Sequence, residues 1–240
     1  MKKVTTKPCP FSADGECKIR AGMATPTKKF TAFRYLYPPR PESAIAPNTI
    51  GFYEKTMQWV AQYKKNGTNT IVAISPSGEI ITMNRHAENH KAWHISEYLK
   101  TLIRQIFPTG EWHVFVAEVL HSKTKDIKDT LYIYDILVFN SDYLVGSTFI
   151  QRQDILDKLL LPHSRLETYS HNVLDDEGKL WYARRFTTAL NDLFWSIQRP
   201  ELDEGLVLKN PEGKLSDCVK ERSNEDWQIK VRHSSKKYVF

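Results

Sequence analysis

Two apolar runs in the middle of the chain each carry a carboxylate at their centre. Residues 112–120 read WHVFVAEVL, with Glu118, and residues 130–139 read TLYIYDILVF, with Asp135. Runs this rich in β-branched and aromatic residues read as strands buried on both faces. An ionised carboxylate buried in such a strand is costly unless it meets a cation, a metal or hydrogen-bond donors. Two such strands in succession predict a polar pocket lined by a sheet, which restricts the fold to one whose sheets can enclose a pocket.

The surrounding pattern is mixed. TIVAI, the turn Pro76-Ser77-Gly78 and EIITMNR form a predicted hairpin. KAWHISEYLKTLIRQIF places Trp93, Leu99, Leu102, Ile103 and Ile106 at helical spacing, and shorter helical patterns lie in 51–62 and 155–161. A longer helix is expected over 180–197, closed by Pro200. A second hairpin, GLVLKNPEGKLSD, turns at Asn210–Gly213, and DWQIKVR is the last strand. This order predicts an α+β domain over residues 51–240, with mostly antiparallel sheets and flanking helices. Residues 1–50, with the proline-rich FRYLYPPRPESAIAP, read as an extended segment packed on that domain.

Composition narrows the partner. The chain is 41% hydrophobic and 12% aromatic, enough for a core, and its net charge of +6 favours a polyanion such as a nucleic acid or nucleotide. Three cysteines, Cys9, Cys17 and Cys218, make no disulfide framework and point to a reducing, intracellular or cytoplasmic setting. Cys9 and Cys17 lack the CxxC or histidine neighbours of a zinc site. No apolar run reaches the roughly 20 residues of a membrane span, and the opening MKKVTTKPCPFSADGECK has no apolar stretch of a signal peptide.

Residues 63–70, YKKNGTNT, allow two readings. Asn66-Gly67 is a strong two-residue hairpin signal, which gives a surface hairpin with a basic lip. The alternative is a reactive lysine on a tight turn. Further along, Arg85 ends a predicted strand, Glu204 precedes GLVLK with Lys209 at its end, and Lys230 and Arg232 alternate in WQIKVR. On a strand, Lys230 and Arg232 point to the same face, where they repel unless an anion such as phosphate sits between them.

Taken in order, KxNG, the downstream arginine, the Ala-Glu strand, the Tyr-Asp strand, EGLVLK and the alternating basic strand resemble motifs I, Ia, III, IIIa, IV and V of the covalent nucleotidyltransferases. That superfamily comprises ATP-dependent DNA ligases, RNA ligases and mRNA capping enzymes, and the resemblance covers residues 60–232. It implies the ligase-type, ATP-grasp-like nucleotidyltransferase fold. It also implies a mechanism in which Lys64 attacks the α-phosphate of ATP to form a lysyl phosphoramidate. Free lysine, with a pKa near 10.4, is neutral in only about one molecule in a few thousand at pH 7, so the site must activate it.

Carried over by position, Asn66, Gly67 and Asn69 belong to the nucleotide turn, and Arg85 faces the nucleotide or a terminal phosphate. Glu118 would accept the ribose hydroxyls and Tyr134 would stack on the base. Asp135 would order a metal-bound water or neighbouring groups, and Glu204 would hold Mg2+ or Mn2+. Lys209 completes the nucleotide pocket, and Lys230 and Arg232 would contact the α-phosphate. Many relatives carry lysine where this chain has Arg232. Lys65, the variable position beside the nucleophile, reads as a solvent lysine.

The continuation Gly67-Thr68-Asn69 resembles RNA ligases of repair and editing, which carry KxHGTN-like sequences, although Asn66 stands where they have histidine. The resemblance thus implies an ATP-dependent RNA ligase, joining 3′-hydroxyl and 5′-phosphate ends through lysyl-AMP. DNA ligase, capping guanylyltransferase and a non-catalytic nucleic-acid-binding relative are the alternatives, in that order. The expected enzyme is a monomer acting on RNA or DNA ends or nicks. The sequence ends eight residues after Arg232, so no C-terminal OB domain is expected, and an accessory protein or separate domain would stand in for it. Within the chain, Arg34 and Arg40 are the expected phosphate contacts for a polynucleotide, and Tyr35 and Tyr37 either stack on its bases or pack against the domain.

Overall fold

The computed structural model describes residues 28–219 and 224–233; Cys9 and Cys17 lie outside them. In chain order the first strands are β1 (Lys28–Lys29), β2 (Arg40–Ile45), β3 (Val60–Lys65), β4 (Thr68–Ile74), β5 (Ile80–Asn84), β6 (His113–Leu120) and β7 (Thr130–Phe139). β8 (Asp142–Tyr143), β9 (Leu166–Glu167), β10 (His171–Val173), β11 (Leu180–Ala183), β12 (Asp203–Lys209) and β13 (Asn224–Arg232) follow. The α-helices are α1 (Ile50–Lys55), α2 (Glu97–Ile106), α3 (Phe149–Leu160) and α4 (Leu190–Trp195).

The strands form two sheets. The larger has nine strands on the path β5–β4–β6–β7–β11–β10–β9, with β8 joined to β7 and β1 to β8; the smaller runs β2–β13–β12–β3. All pairings are antiparallel except β11 with β7 and β13 with β2. The protein is therefore α+β with two mostly antiparallel sheets and flanking helices, as the order of its sequence patterns implies. No helix among the described residues is long and apolar enough to cross a membrane.

Each sheet buries one face under helices. Leu99 and Ile103 of α2 and Ile155 and Leu156 of α3 pack with the apolar residues of β4, β6 and β7. The helices start where side chains supply the acceptors their first N–H groups lack. Ser96 accepts from the Leu99 N–H at 3.3 Å, and Thr148 and Gln151 form a reciprocal capping box. On the smaller sheet Ala61, Tyr63, Leu206, Leu208, Ile229 and Val231 pack against Ile50 of α1 and Leu190 and Phe194 of α4. Burying each such leucine is worth about 2 kcal/mol.

Four local expectations are corrected. Asn66-Gly67 makes no hairpin: β3 pairs with β12, β4 pairs with β5 and β6, and the chain crosses between sheets at this turn. Residues 180–197 are not one helix. Leu180–Ala183 is a strand lying parallel to β7, which suits Trp181 and Tyr182 and gives them a sheet partner distant in sequence, and only Leu190–Trp195 is helical. The helix expected at 155–161 begins at Phe149, where the capping box sets its start. The turn at Asn210–Gly213 is present, with Gly213 N–H donating to the Asn210 carbonyl at 3.0 Å. The residues after it bind the chain ahead of α3 instead, through Leu215 N–H to Ser147 at 2.9 Å, and β12 pairs with β13.

Candidate active site

The faces of the two sheets turned away from these helices enclose a cleft of about 1250 Å³. Period-two alternation places its side chains. On β13, Gln228, Lys230 and Arg232 line the cleft while Ile229 and Val231 enter the core; on β3, Gln62 and Lys64 line it while Ala61 and Tyr63 are core. β12 adds Glu204, Val207 and Lys209, and the larger sheet contributes Asn69, Glu118, Tyr132 and Tyr134. Seven lysines and arginines, not counting the buried Lys65, line the cleft against three glutamates, which concentrates a positive field there.

Lys64 forms an ion pair with Glu204, and the two side chains are only 21% and 23% exposed. Arg232 reaches the same carboxylate at 3.5 Å. Glu204 meets Lys64 through an irregularity in the ladder. Lys65 lies opposite Asp203 and Lys64 opposite Gly205, so Glu204 is the extra residue of a β-bulge. Bulges re-aim a side chain in this way, often beside functional sites. Gly205 is required here, because its φ is +151° and a Cβ would strike the Val231 carbonyl. Tyr134 also sits at a register shift, between Ala117↔Ile133 and Val116↔Asp135.

The turn after Lys64 is packed against β6. A Cβ on Gly67 would lie 2.5 Å from the Val119 carbonyl and 2.6 Å from Glu118 Cγ, so the turn accepts only glycine without moving β6. Burial pushes the Glu118 carboxyl up to about 7, against the pull of Lys64 and Lys123. Asn69 Nδ2 donates to the Tyr134 hydroxyl at 2.6 Å. Lys209 Nζ donates to Gln62 Oε1 at 2.7 Å and lies 5.0 Å from the Tyr134 ring; burial pushes its ammonium down to about 8. Arg85 stands exposed at the rim. Asn66 lines the cleft and also ties the turn to the chain before β12, donating from Nδ2 to the Glu201 carbonyl at 3.0 Å.

Three expected positions fall elsewhere. Asp135 does not line the cleft: Arg152 of α3 holds it from Nε at 2.9 Å and Nη2 at 3.1 Å, and the pair is buried. A helix cation, not a pocket, answers this carboxylate. Lys65 is not a solvent lysine; its Nζ lies 2.6 Å from Asp203 with both side chains fully buried. Arg34 packs over the rings of Phe30 and Tyr143, at 5.5 and 5.8 Å, away from the cleft. Tyr35 donates to the Asn84 carbonyl at 2.7 Å, whereas Tyr37 and Arg40 line the cleft.

Gln62 and Lys123 are among the cleft residues that the sequence patterns did not single out. Gln62, two before Lys64, was legible by alternation. Lys123 comes from the charged loop after β6, donates to the Gly67 carbonyl, and carries no local signal. No group of three or more His, Cys, Asp or Glu among the described residues could hold a metal ion on its own. Glu204, which lines the cleft, nevertheless suits Mg2+, which is bound through one or two carboxylates with substrate phosphates completing its shell.

No protein-family model and no curated protein sequence matches the chain. Solved structures do match it in fold. One is the ligase domain of LigD from M. tuberculosis, at 16% identity and TM-score 0.56, covering 84% of this chain and 61% of that one. Another is a mycobacterial DNA ligase D complexed with ATP and MES, at 15% identity and TM-score 0.57, covering 85% of this chain and 62% of that one. This chain thus spans about three fifths of the length of these two neighbours. With two sheets facing each other across a lysine-bearing cleft, the protein has the fold of a ligase nucleotidyltransferase domain.

Proposed function

We propose that the protein is an ATP-dependent polynucleotide ligase that carries AMP on Lys64. One observation carries this reading: the fold gathers Lys64, Glu204, Glu118, Lys209, Lys230 and Arg232 into one cleft, although they come from both sheets. The cleft volume exceeds the range of about 300–1,000 Å³ usual for a small-molecule site, leaving room for a polynucleotide end beside a nucleotide.

In the first step the Lys64 amine attacks the α-phosphorus of ATP. The N–P bond forms, the bond to the β-phosphate bridging oxygen breaks, and pyrophosphate leaves. The Lys64 ammonium, paired with Glu204, must give up its proton to solvent before the amine attacks. Lys230 and Arg232 meet the charge that builds on the α-phosphate oxygens. Mg2+, when bound with the triphosphate, would supply further charge neutralisation, with Glu204 as its protein partner. Glu118 accepts the ribose hydroxyls, and Tyr134, fixed by Asn69, offers its ring to the base. AMP then passes from Lys64 to a 5′-phosphate, and a 3′-hydroxyl displaces it to close the phosphodiester bond.

RNA ends are the proposed substrate, on the strength of Gly67-Thr68-Asn69. A DNA ligase is the second reading, favoured by the DNA ligase among the fold neighbours. Incubation with radiolabelled ATP and Mg2+ followed by a denaturing gel tests the first step. The wild type takes the label and Lys64→Ala does not; a wild type that stays unlabelled contradicts the reading. Sealing assays on matched RNA and DNA nicks then separate the two substrates.

A further inference from the structure

Beside the Lys64–Glu204 pair, on the other side of the same ladder, lies a second lysine–acid pair that the chemistry above does not use. Lys65 Nζ is 2.6 Å from Asp203 Oδ1, with neither side chain exposed. The ammonium also donates to Ser170 Oγ at 2.8 Å. It sits 5.9, 5.3 and 5.4 Å from the ring centres of Tyr63, Tyr132 and Trp181. Asp203 Oδ2 accepts from the Tyr169 hydroxyl at 2.6 Å. The chain on either side is fastened too, since Asn66 N–H donates to the Leu202 carbonyl at 2.8 Å.

Burying such a pair adds little to stability, because desolvation offsets the attraction. Its position is more telling. Lys65 and Asp203 face each other across the ladder immediately before the bulge that turns Glu204 toward Lys64. A pair held there fixes which residue bulges. Without it, a one-residue slip would return the ladder to regular pairing and carry Glu204 to the other face.

We propose that Lys65 and Asp203 are positioning residues, a buried lock on the register of β3 and β12 that presents Glu204 to Lys64. The inference rests on the reading of Lys64 as the nucleotidylated lysine. Neither side chain of the lock has exposed surface, so it acts on the rate of the chemical step and not on nucleotide binding.

The test compares self-labelling kinetics of the wild type with two variants. Lys65→Met/Asp203→Leu removes both charges together, so no buried charge is left unpaired. Tyr169→Phe removes only the far hydrogen bond to Asp203, at a side chain 47% exposed and safe to alter. The lock predicts that the folded double variant labels about 30-fold more slowly and Tyr169→Phe several-fold more slowly, with KM for ATP unchanged in both. A merely structural role predicts wild-type kcat once folding is intact. Unchanged kcat in the double variant, or a loss confined to KM, overturns the inference; if the double variant does not fold, unchanged kcat in Tyr169→Phe does so. A wild type that takes no label overturns the site reading and the inference together, whereas a labelled wild type beside unimpaired variants overturns the inference alone.

Discussion

Lys64 and Lys65 are neighbours in sequence, and each meets an acid from β12, yet the two faces of this ladder differ in depth. On the cleft face Lys64 and Glu204 keep about a fifth of their side-chain surface open, and Arg232 approaches the same carboxylate. On the packed face Lys65 and Asp203 have none and are boxed by aromatic rings. An open pair can be parted by an incoming phosphate, since solvent and substrate replace what each partner gives up. A buried pair cannot, since separating it strands a charge in an apolar site. Charge and sequence spacing are the same; water access divides the cleft lysine from the framework lysine.

Breaking the buried face should cost most in stability. Lys65→Ala leaves Asp203 buried without its cation, an expected loss of about 3–5 kcal/mol in denaturant unfolding. Lys64→Ala should stay within about 1 kcal/mol of wild type, as for partly exposed pairs. Equal stability of the two variants would erase the distinction. The cleft face is broken differently. Glu204→Ala and Lys230→Ala should each lose about 3 kcal/mol of transition-state stabilisation, near a hundredfold in labelling rate, with little change in melting temperature. Near-wild-type labelling in either would remove that residue from the site.

Glu118 sharpens the comparison through pH. Its carboxyl is raised by burial from 4.5 to about 7. Between those values the unfolded chain has released this proton and the folded chain keeps it, so this group's contribution makes stability fall as pH rises across the window. Denaturant midpoints measured from pH 4.5 to 8 should show that fall in the wild type and a flatter profile in Glu118→Gln. The smallest effect is expected at the rim. Arg40 lines the cleft, so Arg40→Ala should flatten the salt dependence of single-stranded polynucleotide binding by about 0.7 in log–log slope, the share of one phosphate contact. Arg34→Ala, which lies over Phe30 and Tyr143, should leave the slope unchanged.

Much of the cleft was legible because strands make it. Alternation in WQIKVR puts Lys230 and Arg232 on one face, and the same rule on β3 finds Gln62 beside Lys64. What sequence hid was every partner supplied from afar. Asp135 shows the same local pattern as Glu118, but an arginine on α3 claims it, and nothing near Asp135 announces Arg152. Lys65 looks like any lysine beside a turn until Asp203 and Trp181 close over it. Residues 180–183 became a strand because β7 offers an edge, a tertiary choice that outweighs local helical spacing. Asn66-Gly67 carried a hairpin signal, but the strands it joins are claimed by different sheets.

The most direct measurement is the site of the covalent bond. Wild-type protein incubated with ATP and Mg2+, digested and sequenced by mass spectrometry, should carry one AMP on Lys64 and none on Lys65, because only Lys64 opens to the cleft. AMP found on Lys65, or on a lysine outside the cleft, would contradict the assignment of the two faces and the mechanism built on it.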